Sequence, residues 1–173
     1  EKLIAIGEIG LDYHYLYCPV EVQQRVFRQQ LMLAEELNLP VVMHSREAEA
    51  DTLKILKEIP VKSLGVAHSF TSSFEMARTL VEMGWYLGIN GIVTFKNAED
   101  LREVVHWLPL EKMLLETDSP FLTPVPFRGK PNKPAHIPVI ANFIAELRDI
   151  SLQELAEQTN ENAQRLFKLP QES

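Results

Sequence analysis

Apolar residues along this chain fall into two alternating kinds of segment. Residues 3–7, 41–43, 64–67, 86–89 and 113–117 are short and densely apolar, as strands buried on both faces are. Each runs into a polar residue: Glu8, His44, His68, Asn90 and Asp118 respectively. Between them the apolar positions recur at helical spacing. Residues 19–38 form a predicted helix that starts on Pro19, carries a stripe of Val22, Val26, Leu33 and Leu37 with Phe27 and Met32, and ends at Asn38 and Pro40. Further helices are predicted over 47–59, over 73–83 with Ser72 or Ser73 as cap and Gly84 as stop, and over 98–107.

Past Asp118 the pattern changes. Residues 119–134 hold five prolines and one glycine and read as an ordered loop with little regular structure. Ile137, Ile140, Phe143, Ile144 and Leu147 then mark an amphipathic helix. Ser151 and Glu154 form a capping box for a short helix, and a separate last helix is expected from Thr159 or Asn160 to near Leu169.

Alternating strands and helices give a parallel sheet with right-handed crossovers. An open doubly wound sheet would carry a glycine-rich phosphate loop after its first strand, and none is present. A barrel needs eight strands and five are counted. The expectation is therefore an α/β fold of TIM-barrel type with about five of its eight parallel strands, an incomplete barrel in a single domain over residues 1–173. The chain opens on Glu1 and enters a strand almost at once, which reads as a start in the middle of a fold.

Composition narrows the class. At 173 residues, 46% hydrophobic and 24% charged, the chain is that of an ordinary globular domain. No apolar run reaches membrane-spanning length, and no signal peptide is visible. Cys18 is the lone cysteine, which excludes an internal disulfide and fits a reducing, cytoplasmic setting. The net charge of −7 argues against a broad basic surface that coats duplex nucleic acid. It leaves room for an enzyme that grips one strand end through metal ions and a few local cations. Two open sheet edges would invite association, though no oligomeric state follows from the sequence.

The strand ends carry the candidate chemistry. In a barrel these positions converge on the face where active sites lie. Glu8, flanked by Gly7 and Gly10, reads either as a salt-bridged strand-end carboxylate or as a ligand. His44 and His68 stand at equivalent places in successive βα units. With Glu8 they make a two-histidine, one-carboxylate set suited to Zn, Mn, Fe or Ni. Asp118 is either a turn aspartate before Pro120 or a metal-binding carboxylate that takes a proton from water. Glu116 lies two residues earlier and is expected on the same side of its strand, where it could orient a ligand; Asn90 is a further supporting candidate. Arg46, directly after His44-Ser45, is placed to hold an anion. Arg128, Lys130 and Lys133 cluster in the proline-rich loop. Tyr13, Tyr15 and Tyr17 read as loop anchors, with stacking on bases as the alternative.

At these motifs the chain strongly resembles the TatD family of metal-dependent deoxyribonucleases. The matching segments are Gly7-Glu8-Ile9-Gly10-Leu11-Asp12-Tyr13, Pro40-Val41-Val42-Met43-His44-Ser45-Arg46, Ala67-His68-Ser69-Phe70-Thr71-Ser72 and Leu115-Glu116-Thr117-Asp118-Ser119-Pro120. Arg128-Gly129-Lys130-Pro131-Asn132 and Asn162-Ala163-Gln164-Arg165-Leu166-Phe167 also match. The resemblance implies a site for two divalent ions (Mg, Mn or Zn) that cleaves DNA, single strands or strand ends above all, from 3′ to 5′. Glu8 would bridge the metals, His44 and His68 would hold one of them, and Asp118 the other. Arg46 and Arg128 would lie near the phosphate. Related barrel hydrolases act on other esters or amides, which keeps that alternative open. The family's first strand carries a His-x-His pair that this sequence does not contain: its remaining histidines, His14, His106 and His136, are isolated. The chain alone is accordingly expected to be weak or inactive, an inactive fragment being the third reading.

Overall fold

A computed structural model of the chain describes residues 3–170. Strands and helices alternate as β1 (Ile6–Asp12), α1 (Val20–Leu37), β2 (Val41–Arg46), α2 (Glu49–Glu58), β3 (Gly65–Ala67), α3 (Phe74–Glu82), β4 (Tyr86–Ile89), α4 (Glu99–Trp107), β5 (Met113–Leu115), α5 (Ile137–Arg148) and α6 (Leu152–Phe167). The five strands form one parallel sheet in the order β1-β2-β3-β4-β5. An order that never reverses is that of a barrel wall, whereas a doubly wound sheet turns back at a switch point. The expected α/β barrel-type fold is therefore present. The described residues leave the barrel open, with β1 and β5 as its edges.

The period of two along each strand separates the two faces of the sheet. Val41, Met43, Leu87, Ile89 and Met113 are buried on the side covered by helices, against Phe27, Leu31, Ile55, Leu80, Val104 and Ile140. Each fully buried side chain of this size contributes about 1.5–3 kcal/mol of apolar burial. Val66, Tyr86 and Leu114, with Val42 against them, face the other way, where Leu166, Ala163 and Phe167 at the end of α6 close over them. Two or four residues further along each strand, that second face carries His44, His68, Asn90 and Glu116. The alternation that makes the sheet thus delivers the polar residues to one side of it.

Three local expectations are corrected. The first strand is Ile6–Asp12, so Glu8 lies within it; Leu3 and Ile4 are exposed. The strand runs on because Ile9 and Leu11 belong to the core. A register shift between Gly7 and Ile9 leaves Glu8 without a partner on β2, a bulge that keeps the flanking alternation in phase. In α1 the buried stripe is Phe27, Leu31 and Ala34, because that face docks on β1; Val26, Met32, Leu33 and Leu37 point outwards. The two C-terminal helices are one. Ser151 caps it through the Glu154 N–H at 3.0 Å, but Thr159 starts nothing: its hydroxyl donates back to the Leu155 carbonyl at 2.9 Å. Buried Asn162 donates to the carbonyls of Leu110 and Met113, each at 2.8 Å, and ties the helix to β5.

Candidate metal centre

Glu8, His44, His68 and Asp118 line a single cavity of about 530 Å³ at the C-terminal ends of the strands. Each imidazole stands between two carboxylates. His44 Nδ1 is 2.9 Å from Glu8 Oε1 and its Nε2 is 3.0 Å from Asp12 Oδ2. His68 Nδ1 is 2.9 Å from Glu116 Oε2, and its Nε2 is 3.4 Å from Asp118 Oδ1. Glu116 lies beyond the end of β5 and also accepts the Ser69 N–H at 2.6 Å. Gly88 on the intervening β4 makes room for it, since a Cβ there would overlap the Glu116 carboxylate.

These pairings set the charges. The Glu116 hydrogen bond pushes the His68 imidazole up to about 9, against the pull of burial and with help from the charges of Glu8 and Asp118. The Glu8 hydrogen bond raises His44 in the same way, burial opposing and Asp12 assisting. Glu8 is lowered by its bond to His44, which outweighs burial. Burial pushes Asp12 up, yet it ends below the usual carboxylate range because the Tyr15 N–H and His44 bonds outweigh burial. Asp118 is raised by burial and by the nearby charges of Glu116 and Glu8, with His68 opposing.

Four carboxylates around two imidazoles leave an excess of negative charge even when both rings are protonated. Cations are the natural complement. The donor set of imidazole nitrogen and carboxylate oxygen suits first-row divalent metals. Each ring also has one nitrogen held by a carboxylate that does not line the cavity, Asp12 for His44 and Glu116 for His68. That arrangement orients an imidazole and raises its basicity as a ligand. Among the described residues no three His, Cys, Asp or Glu groups already surround one point in ligand geometry, since these side chains are drawn into hydrogen bonds with one another. The residues present fit divalent metal by their chemistry and their shared cavity.

The remaining candidates fall differently. Arg46 lines the cavity. Arg128 does not: its guanidinium lies 4.0 Å over the Phe95 ring and donates to the Thr123 carbonyl at 3.2 Å. It belongs to a neighbouring groove with Lys96 that meets the cavity at Ile92. Asn90 is buried behind the site. Its amide donates to Ser69 Oγ at 2.7 Å and its carbonyl accepts the Ile92 N–H at 3.1 Å. Asp12 and Phe121 complete the surroundings without having been singled out as site residues, and Tyr15, read as a loop anchor or a stacking residue, also lines the cavity. Asp12 had a signal: it shares with Gly10 the strand face that Gly10 pairs against His44. Phe121 sits in the proline-rich loop, where no periodicity points to it.

A family model described as TatD related DNase matches residues 1–168. The uncharacterized metal-dependent hydrolase YabD of Bacillus subtilis is 49% identical over 170 residues, which is 98% of this chain and 67% of that protein. The deoxyribonuclease Tat-D of Schizosaccharomyces pombe is 42% identical over 194 residues, covering 94% of this chain and 61% of that protein. The crystal structure of YJJV, a TatD homolog from Escherichia coli, superposes with a TM-score of 0.90 at 35% identity, covering 98% of this chain and 65% of the other. The chain thus spans about two thirds of the length of these relatives.

Proposed function

The chain belongs to the TatD-related DNase family of metal-dependent hydrolases, and from that premise we propose that it carries the phosphodiester-cleaving centre of a 3′-to-5′ exodeoxyribonuclease. The observation that carries this reading is the meeting of Glu8, His44, His68 and Asp118 in one cavity, with Asp12 and Glu116 behind the imidazoles. A relative named deoxyribonuclease supports DNA as the substrate. The reading concerns the whole protein, of which this chain is compared over about two thirds of its relatives' length.

Two divalent ions, Mg, Mn or Zn, are proposed here; when bound they supply Lewis acidity towards a water nucleophile and towards the phosphate. Glu8, His44, His68 and Asp118 would hold them. Asp12 and Glu116 fix the tautomer and plane of the two imidazoles. Asp118, whose carboxyl is raised in the metal-free site by burial and by Glu116 and Glu8, would accept a proton from a water nucleophile. Arg46 pairs with a phosphate oxygen at the cavity wall. Arg128 meets the strand from the adjoining groove.

The test is a 5′-labelled single strand incubated with the chain and Mn or Mg, beside a full-length relative as positive control. The expected result is shortening from the 3′ end, strong in the full-length relative and weak in this chain, and abolished by EDTA and by Asp118→Asn. Hydrolysis of a small model ester with DNA left intact contradicts the reading.

A further inference from the structure

The loop between β1 and α1 holds two aromatic rings out in solvent with unusual firmness. Tyr13 is an anchor: its hydroxyl donates to Asp51 Oδ2 and accepts from Gln24 Nε2, each at 2.9 Å. Tyr15 and Tyr17 are not. Their rings stack on each other with centroids 5.3 Å apart and planes 9° from parallel. Tyr17 is 90% exposed and Tyr15 52%. The Arg46 guanidinium lies over the Tyr15 ring, 4.9 Å from its centroid, and both Arg46 and Tyr15 line the metal cavity. A column of planar groups therefore runs from the cavity wall into solvent, through Arg46 and Tyr15 to Tyr17.

The backbone beneath the column is tied at several points. Asp12 Oδ1 accepts the N–H groups of His14 and Tyr15 at 3.0 and 3.1 Å. Gln23 exchanges bonds with the Asp12 backbone at 2.8 and 2.9 Å and donates to the Cys18 carbonyl at 2.9 Å. His14 Nδ1 bonds Glu47 Oε1 at 2.6 Å and packs its ring edge-on to Tyr15. Asp12 is also the carboxylate on His44 Nε2, so one side chain joins the loop to the candidate metal ligand. Planar aromatic and guanidinium faces fixed in solvent offer surfaces for stacking, and every nucleobase has a π face to meet them. In a duplex those faces are already covered. At a net charge of −7, counterion release contributes little, so stacking would add to the local hold of the cavity on the phosphate.

We propose that Arg46, Tyr15 and Tyr17 form a stacking platform for the unpaired bases of the strand whose phosphate enters the cavity. The proposal rests on the nuclease reading and assigns the residues that hold the strand's unpaired bases outside the cavity.

Binding without turnover separates the two ideas. The full chain in EDTA is titrated into a single strand bearing 2-aminopurine, whose fluorescence falls on stacking. The proposal expects quenching that weakens about fivefold to a hundredfold in Tyr17→Leu and in Tyr15→Leu, the range of base–aromatic stacking, and that persists in Tyr17→Phe. Tyr17 is too exposed for its replacement to disturb the fold, so it keeps the test sound. Equal quenching by all variants, or duplex bound as tightly as single strand, overturns the platform. Adding Mn to the same samples reads the nuclease separately. Hydrolysis without base-dependent binding overturns the platform alone; base-dependent binding with no hydrolysis by this chain or by a full-length relative overturns the nuclease reading while the platform stands.

Discussion

His44 and His68 occupy matching places on adjacent strands, yet their surroundings are built in different ways. His44 stands against its direct neighbour: both its carboxylates, Glu8 and Asp12, come from β1, which pairs with β2 from Ile6 to Asp12. His68 follows a three-residue strand and reaches past β4 to Glu116 and Asp118, beyond β5. The first arrangement is a rim, with the His44 and Glu8 side chains 31% and 48% exposed. The second is sunk, with His68 and Glu116 at 17% and 21%. A ligand held by an adjacent strand depends on the backbone ladder. A ligand held across an intervening strand depends on a gap in that strand, here Gly88.

The largest effect is expected where the ladder is broken. Gly10 has φ +145°, and a Cβ on it would overlap the His44 carbonyl. Gly10→Ala combines a backbone conformation that side chains avoid with a clash against main chain, so a loss of about 3 kcal/mol or more is expected. Urea unfolding with an unchanged m-value checks it. Gly88→Ala meets only the end of a side chain, and is expected to spare stability while displacing Glu116.

Next comes the contrast in metal affinity. Removing an outer carboxylate from a ligating histidine costs about 10- to 100-fold in affinity. Glu116→Ala is expected near the upper end, since it strips the more buried ring and also leaves the Ser69 N–H unpaired. Asp12→Ala is expected near the lower end, because solvent reaches His44. Calorimetric titration with Mn or Zn measures both, and equal losses would erase the distinction between rim and interior.

The last contrast is in pH. In metal-free protein the His68 imidazole is raised from 6.5 to about 9, so the folded state binds its proton more tightly than the unfolded chain does. The stabilisation from that proton is complete below about pH 6.5 and fades as pH rises through about 9. Urea midpoints in EDTA at pH 6 and pH 9.5 are expected to differ in that direction, and the difference to shrink in Glu116→Gln, where Glu8 and Asp118 still act on His68 and Glu8 and Asp12 still raise His44. Metal competes with the same proton, so its binding is expected to strengthen over that interval.

The comparison also explains what the sequence could reveal. Strand periodicity carries His44 and His68 to one face, and Val42 and Val66 on the opposite phase from Met43 and Ala67 make that phase readable. Strand–helix alternation likewise reveals the parallel sheet. The extra residue in β1 does not show in the apolar pattern, so Glu8 reads as a strand end and Asp12 goes unassigned, although both meet His44. The Glu116–His68 pair spans 48 residues and depends on the absence of a side chain at Gly88, which no local pattern expresses. Arg128 is drawn over Phe95 by a cation–π contact, a tertiary event inside a loop without period. Thr159 reads as the start of a separate helix until its hydrogen bond back to Leu155 is seen, and Asn162, bonded to Leu110 and Met113, lies within the same continuous helix.

Elemental analysis after equilibration with Mn or Zn and removal of excess tests the central claim most directly. The account predicts at least one ion retained per chain and lost in both His44→Ala and His68→Ala, each variant still folded by circular dichroism. A folded wild-type chain that retains no metal, or retention untouched by either substitution, would contradict it.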